Sequence, residues 1–237
     1  MTASDGEIVL GRPRVHLRST DSTNDRARQL AIAGAPPGTL VTSSFQTAGR
    51  GRQGRRWSAP AGQALLMSLV LHRTAPLLGL LAAVAVCDVA GEGAAIKWPN
   101  DIVLVRARAL AKLGGILAEG RPQAGWTVLG VGLNVAVRLD ELPVELGASA
   151  ATLGHCPDAI EPTLQRLLAA LERRLAEPAS ATLEAWRLRD ALYGREIAWS
   201  TGRGRAEGID GAGRLIVALS GGGHTTLDAG EVHLQID

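Results

Sequence analysis

The chain has 237 residues, room for one large domain or for a medium domain with a small appendage. Its 46% apolar and 20% charged residues are those of an ordinary globular protein, long enough to bury a real core. A net charge of +2, from 25 basic and 23 acidic residues, argues against a dedicated nucleic-acid binder, whose basicity would be far more lopsided.

Along the chain, strand-like and helix-like patterns alternate without repeats. RVHLRS (14–19) alternates as a strand does. STNDRARQLAIAGA opens a helix, with Ser22 as its N-cap, Asp25 three residues later as in a capping box, and Gly34 as its stop. TLVTSSF (39–45) and the apolar ALLMSLVL (64–71) read as strands on either side of a glycine- and arginine-rich loop. Residues 76–91 form a buried helix. Its most apolar run, LLGLLAAVAV (77–86), is too short to span a bilayer, and the N-terminus carries no apolar leader. IVLV (102–105), LGGILAE (113–119) and WTVLGVGLNV (126–135) are strands separated by turns. Residues 160–190 are helical, with leucines of LQRLLAALERRLAE at i, i+3, i+4 spacing. After about Tyr193 the texture changes to short β-prone segments, EIAWS, RLIVALS and EVHLQI, set apart by glycine turns such as GIDGAGR. A small all-β domain is expected there, so the division is 1–190 and 191–237. Cys87 and Cys156 lie far apart with no CxxC and no histidine pair nearby, which argues against a zinc site and for reduced thiols in a cytoplasmic protein.

The densest basic stretch is GRGRQGRRW (49–57). Glycines let a backbone approach a ligand closely and turn successive N–H groups toward an anion. Arginine adds planar forks that match phosphate or carboxylate oxygens, and Trp57 adds a flat face for a base. The combination reads as a nucleotide-phosphate loop. A solvated basic loop is the plain alternative, and no GK[ST] follows to make it a Walker A loop. Arginines of this kind need anions to face, so the loop is expected to be mobile when empty and ordered with ligand.

The two lysines stand out among 23 arginines. Wherever a positive charge merely had to be positive, this chain carries arginine, so Lys97 and Lys112 suggest a need for a compact ammonium. Lys97 opens KWPND, in which an exposed Trp-Pro turn is expected to lead to an amide and a carboxylate. Lys112 opens KLGGIL, entering a strand through a double glycine.

Taken together, STN (22–24), Gln46, GRGRQGRRW, KWPND, KLGGIL and GVGLN (130–134) occur in the order seen in biotin protein ligases, which the chain resembles from about residue 15 to its C-terminus. The resemblance implies an α+β fold: a central mixed β-sheet flanked by helices, of the class II synthetase-like or biotin-lipoate ligase type, followed by a small SH3-like β-barrel. It implies that ATP and biotin are joined with Mg²⁺ to biotinoyl-AMP, releasing pyrophosphate. The biotinyl group then passes to a lysine of a biotin carboxyl carrier domain of a carboxylase.

By the same resemblance, Ser22, Thr23, Asn24 and Gln46 belong to the biotin site, where the neutral ureido ring needs polar partners. Arg50, Gly51 and Arg52 would wrap biotin's carboxylate and the α-phosphate, with Gly115 alongside and Arg55 nearer the pyrophosphate. Trp57 would cover the adenine and Asn134 would bond near it. Asn100 and Asp101 would sit beside the reaction centre, Asp101 helping with the metal or the incoming amine, while Lys112 stabilises charge on the oxygens shared by both substrates. Lys112, Arg52 and Asp101 form the catalytic set.

Each assignment has a plain rival: Ser22 is also a good helix cap, Asn134 also a strand-end turn residue. The five histidines are scattered and match nothing. RARALAKLGG departs from the polar turn usual before the lysine. With 21 residues ahead of Ser22, a winged-helix module does not fit, so no DNA binding is expected. The other expectations are no membrane association and a monomer or weak homodimer. Competing readings are a lipoate or octanoyl ligase or transferase of the same fold, and a non-catalytic nucleotide- or RNA-binding module.

Overall fold

The computed structural model describes residues 9–72, 77–106, 109–121, 123, 125–228 and 230–234. The first sheet is built from β1 (Arg14–Leu17), β2 (Leu40–Ser43), β3 (Ala64–His72), β4 (Ala94–Lys97), β5 (Asp101–Arg106), β6 (Ala109–Arg121) and β7 (Trp126–Asn134). Their order across the sheet is β1-β2-β3-β7-β6-β5-β4. β1 and β2 run parallel and every other pair is antiparallel, so the sheet is mixed as expected.

Helix α1 (Thr23–Ile32) covers one face, packing Ala27 and Ala31 on Val41, Val70 and Val128. Helix α2 (Leu78–Ala90) covers the other. It is apolar except for Asp88 near its end, which pairs with Arg173, Arg174 and Arg189, and it is buried because α4 (Ile160–Ala176) and α5 (Ala179–Arg187) lie outside it. Between them in sequence comes one short helix, α3 (Val144–Gly147). The expected helical stretch 160–190 is thus two helices. Pro178 has no N–H to continue the first and instead serves as the N-cap position of the second. The expected start of α2 at Pro76 lies outside the described residues.

The capping box is only half formed. Ser22 accepts from the N–H of Asp25, but the Ser22 N–H goes to Asp21, and the carboxylate of Asp25 turns to Arg28 and Arg50.

The second sheet is antiparallel, ordered β11-β10-β9-β8-β12 from β8 (Glu196–Trp199), β9 (Gly202–Ile209), β10 (Leu215–Ala218), β11 (His224–Leu227) and β12 (His233–Leu234). The end of EVHLQI, from residue 235, lies outside the described residues. One apolar core nonetheless runs through both sheets, from Leu69 and Leu129 through Trp186 to Ile197, Leu215 and Val232. Among the described residues no helix is long and apolar enough to cross a membrane.

Candidate active site

Except for Asn134, every residue expected in the site lines one open cleft of about 680 Å³ on the α1 side of the central strands. Asn134 is elsewhere: its buried amide donates to the carbonyl of Ala151 (2.8 Å) and ties the end of β7 to the chain beyond α3.

The floor of the cleft is neutral and polar. Ser22, Thr23 and Asn24 are buried at the start of α1. Gln46 receives the Thr23 N–H at 2.7 Å and lies 3.1 Å from the Thr23 hydroxyl. Ser68, fully buried on β3, sits 2.6 Å from Asn24 Oδ1 and 2.9 Å from Thr23 Oγ1. Asn24 can reach this far only because position 130 is glycine; any Cβ there would collide with its amide.

The Gly/Arg loop closes on itself as a small hairpin, with Gly51 N–H bonded to Arg55 O and Trp57 N–H to Gly49 O. Two of its arginines already face carboxylates of the protein, which amends the premise that they need a ligand's anion. Arg50 pairs with Asp25 and Glu119, both at 2.6 Å, and Arg55 pairs with Glu231 of the second sheet. Trp57 folds inward over the glycines of β6 and β7. A Cβ at Gly132 would lie 2.6 Å from its ring, and Lys112 Nζ stands 5.8 Å from the ring centroid. The buried indole N–H has no partner among the described residues.

Lys112 is not at the entry of its strand but well inside β6, beside a β-bulge. Ile102 pairs with Gly114 and Val103 with Lys112, which leaves Leu113 as the extra residue. Bulges re-aim side chains, and here the ammonium meets Asp101 at 2.7 Å. Asp101 begins β5 directly opposite Lys97, at the end of the KWPND turn. Asn100 locks that turn, its amide donating to Ile116 O while Ile116 N–H donates to Asn100 O. Residues 107 and 108 of the unusual approach to Lys112 lie outside the described residues. Trp98 corrects the expectation of an exposed turn: it is buried, and its indole N–H donates to Gly213 O of the second domain at 3.1 Å. The lone hydrogen-bonding group of that ring faces the domain joint.

Electrostatically, the junction holds Arg52, Arg55, Lys97 and Lys112 around the carboxylates of Asp101 and Glu231. Burial lowers the Lys97 pKa, with Lys112 and Arg55 adding to the depression and Asp101 opposing it. Arg52 is lowered by burial in the same way, with Asp101 again opposing. Four cations around two carboxylates leave an excess of positive charge that suits a polyanion better than a neutral ligand. No histidine lines the cleft, and no cluster of three potential metal-ligating side chains occurs among the described residues. Asp25, Ser68, Glu119 and Glu231 were not anticipated from the sequence. For Glu119 a signal existed, since it shares the cleft-facing parity of β6 with Gly115 and Leu117.

Residues 16–135 match the biotin/lipoate A/B protein ligase family, and residues 194–234 match the biotin protein ligase C-terminal domain. Similar chains include the bifunctional ligase/repressor BirA of Bacillus spizizenii, 33% identical over 90% of this chain and 72% of that one. Another is the biotin–[acetyl-CoA-carboxylase] ligase of Paracoccus denitrificans, 35% identical over 85% of this chain and 92% of that one. In fold, the chain resembles the Aquifex aeolicus biotin protein ligase in complex with biotin and ATP, with a TM-score of 0.78 and 23% identity over 95% of this chain and all of that one. The chain belongs to the biotin/lipoate A/B protein ligase family.

Proposed function

We propose that this member of the family is an ATP-dependent biotin protein ligase. The observation that carries the reading is that one cleft joins a neutral polar floor to a cationic junction, with Lys112 between them. Ser22, Thr23 and Gln46 suit an uncharged ring rich in donors and acceptors, and Arg52 and Arg55, with Lys97 in the adjoining recess, suit the phosphates of ATP. Between lipoate and biotin, the match of residues 194–234 to a biotin protein ligase domain favours biotin.

In this reading an oxygen of the biotin carboxylate attacks the α-phosphorus of ATP and pyrophosphate departs with the electrons of the broken P–O bond. A lysine amine of the carrier domain then attacks the acyl carbon and AMP leaves. Lys112 and Arg52 offer their positive charge to the oxygens on which charge redistributes in the first step. Arg50 and Gly51 hold the carboxylate beside Gly115, Arg55 steadies the pyrophosphate, and Asn100 fixes the turn that presents Asp101. Asp101, paired with Lys112, is the carboxylate nearest the centre and the one group placed to steer the incoming amine. Trp57 offers its ring face to the adenine from its place over the glycine floor, and its indole N–H, without a partner among the described residues, is a donor the substrate can use. Asn134 serves the nucleotide only indirectly, by holding the end of β7.

Mg²⁺ fits as a metal carried by ATP rather than as a resident ion, because among the described residues Asp101 is the sole carboxylate lining the cleft. When bound it neutralises phosphate charge, and Asp101 is the residue that would touch it. The division of the chain at residues 190 and 191 follows the two sheets, and two free cysteines suit a reducing cytoplasm. The macromolecular partner is a biotin carboxyl carrier domain; a monomer or weak homodimer without DNA binding completes the reading. The test is pyrophosphate release with ATP and biotin, with and without a carrier domain, beside a thermal-shift comparison of biotin with lipoate. Turnover only with lipoate, or none with either, overturns it.

A further inference from the structure

Arg50 sits between two carboxylates from different parts of the fold. Its Nη1 donates to Asp25 on the first turn of α1 and its Nη2 to Glu119 on β6, each at 2.6 Å. The other oxygen of Glu119 accepts from the Asn24 amide at 2.9 Å. Asn24 has no remaining freedom, since its Nδ2 also lies 3.3 Å from Leu117 O and its Oδ1 is met by Ser68. A continuous polar chain therefore runs from Arg50 through Glu119, Asn24, Ser68 and Thr23 to Gln46. It links the loop that closes the cleft to the floor that receives the neutral ring.

We infer that Glu119 and Asp25 are positioning residues for Arg50, and that Glu119 couples the floor of the cleft to its arginine loop. The inference rests on the biotin ligase reading and deepens it. Two of the five guanidinium donors are spent on the carboxylates and three remain for a substrate. The clamp therefore aims Arg50 without consuming it. A guanidinium held at both ends has lost most of its rotamer freedom before substrate arrives, which is what makes a loop arginine useful to a reaction. Arg50 remains partly exposed, 38% by side chain, so the pair acts through orientation rather than deep burial.

Glu119→Gln separates this role from a structural one. The amide oxygen still accepts from Asn24, but its NH₂ would face the guanidinium, donor against donor. The expected result in pyrophosphate release at saturating ATP is a rise in biotin KM of about 10-fold, inside the ~100-fold that a 1 Å misplacement costs, with kcat changed less than about 2-fold. Asp25→Asn should do the same more weakly. In an Arg50→Ala background, Glu119→Gln should add nothing further. Trypsin cleavage of loop 50–56, which needs no catalysis, should quicken in Glu119→Gln and show the same lack of additivity with Arg50→Ala. Wild-type kinetics and cleavage in Glu119→Gln, or effects that add fully to Arg50→Ala, overturn the inference. Absence of biotin turnover by the wild-type chain would instead overturn the functional reading, and the cleavage series would still decide whether Glu119 holds Arg50.

Discussion

Lys112 and Asp101 stand on neighbouring strands with their charged groups 2.7 Å apart, brought together by a bulge that leaves Leu113 without a partner in the ladder. The pair lies where the neutral floor meets the cationic junction. The ammonium is thus a point charge held by one carboxylate, in a chain with 23 arginines and one other lysine, Lys97. A guanidinium is wider, and with Asp101 in place it would push into the space of a reacting oxygen. Lys112→Arg should therefore lose about 100-fold or more in pyrophosphate release at saturating substrates, while its melting curve matches the wild type. An arginine variant with normal turnover would show that any cation serves.

Gly132 and Trp57 offer a steric test of the inward ring. A methyl at position 132 would begin 2.6 Å from the indole, whereas the backbone there is ordinary strand that alanine accepts. Gly132→Ala should keep the fold and expel the ring, seen as a red shift in tryptophan emission and a loss of nucleotide affinity. Unchanged emission and affinity would mean that the ring does not rest on the glycine floor.

The site was far more legible than its supports. GRGRQGRRW, KWPND and KLGGIL carry residue types whose chemistry speaks locally, and the structure draws them into one cleft. Asp25 and Glu119 carry no such local chemistry: strand parity turns Glu119 toward the cleft, but the role of both lies in a shared partner 25 and 69 residues away. Asn134 also ties the end of β7 to Ala151 O, a contact that only the folded position of Ala151 could show. In the second sheet, β9 was not anticipated, since GRGRAEGI has the composition of a turn. It is a strand because β8 and β10 flank it, and Gly204 lies so close to Ala218 O that no side chain fits.

Trp98 bolts the two domains together through a single hydrogen bond to Gly213 O. Trp98→Phe keeps most of the buried apolar surface but leaves that carbonyl without its donor. Equilibrium urea unfolding should show a loss of roughly 1–3 kcal/mol. A loss under about 0.5 kcal/mol, the size of an inconsequential surface change, would mean that packing alone carries the joint.

Asp190 supplies the pH dependence. It follows α5, where the chain crosses β4 and enters the second domain: Ile96 N–H bonds Arg189 O and Ala191 N–H bonds Ile96 O. One carboxylate oxygen accepts from Leu192 N–H at 2.8 Å, and the other is buried without a partner among the described residues. Burial raises its pKa from 3.8 to about 6, against the opposing bonds from the Leu192 and Tyr193 amides. An acid whose native pKa lies above its unfolded value favours the fold while protonated. That contribution is whole below pH 3.8 and fades as pH rises through about 6. At pH 8 the native state therefore holds a poorly solvated charge. Asp190→Asn keeps the bond from Leu192 and removes the charge, so it should be more stable than the wild type at pH 8, by roughly 1–3 kcal/mol, and equal to it near pH 4. Melting temperatures of both proteins across pH 4–8 decide it: curves that stay parallel would show that Asp190 ionises inside the fold as freely as outside it.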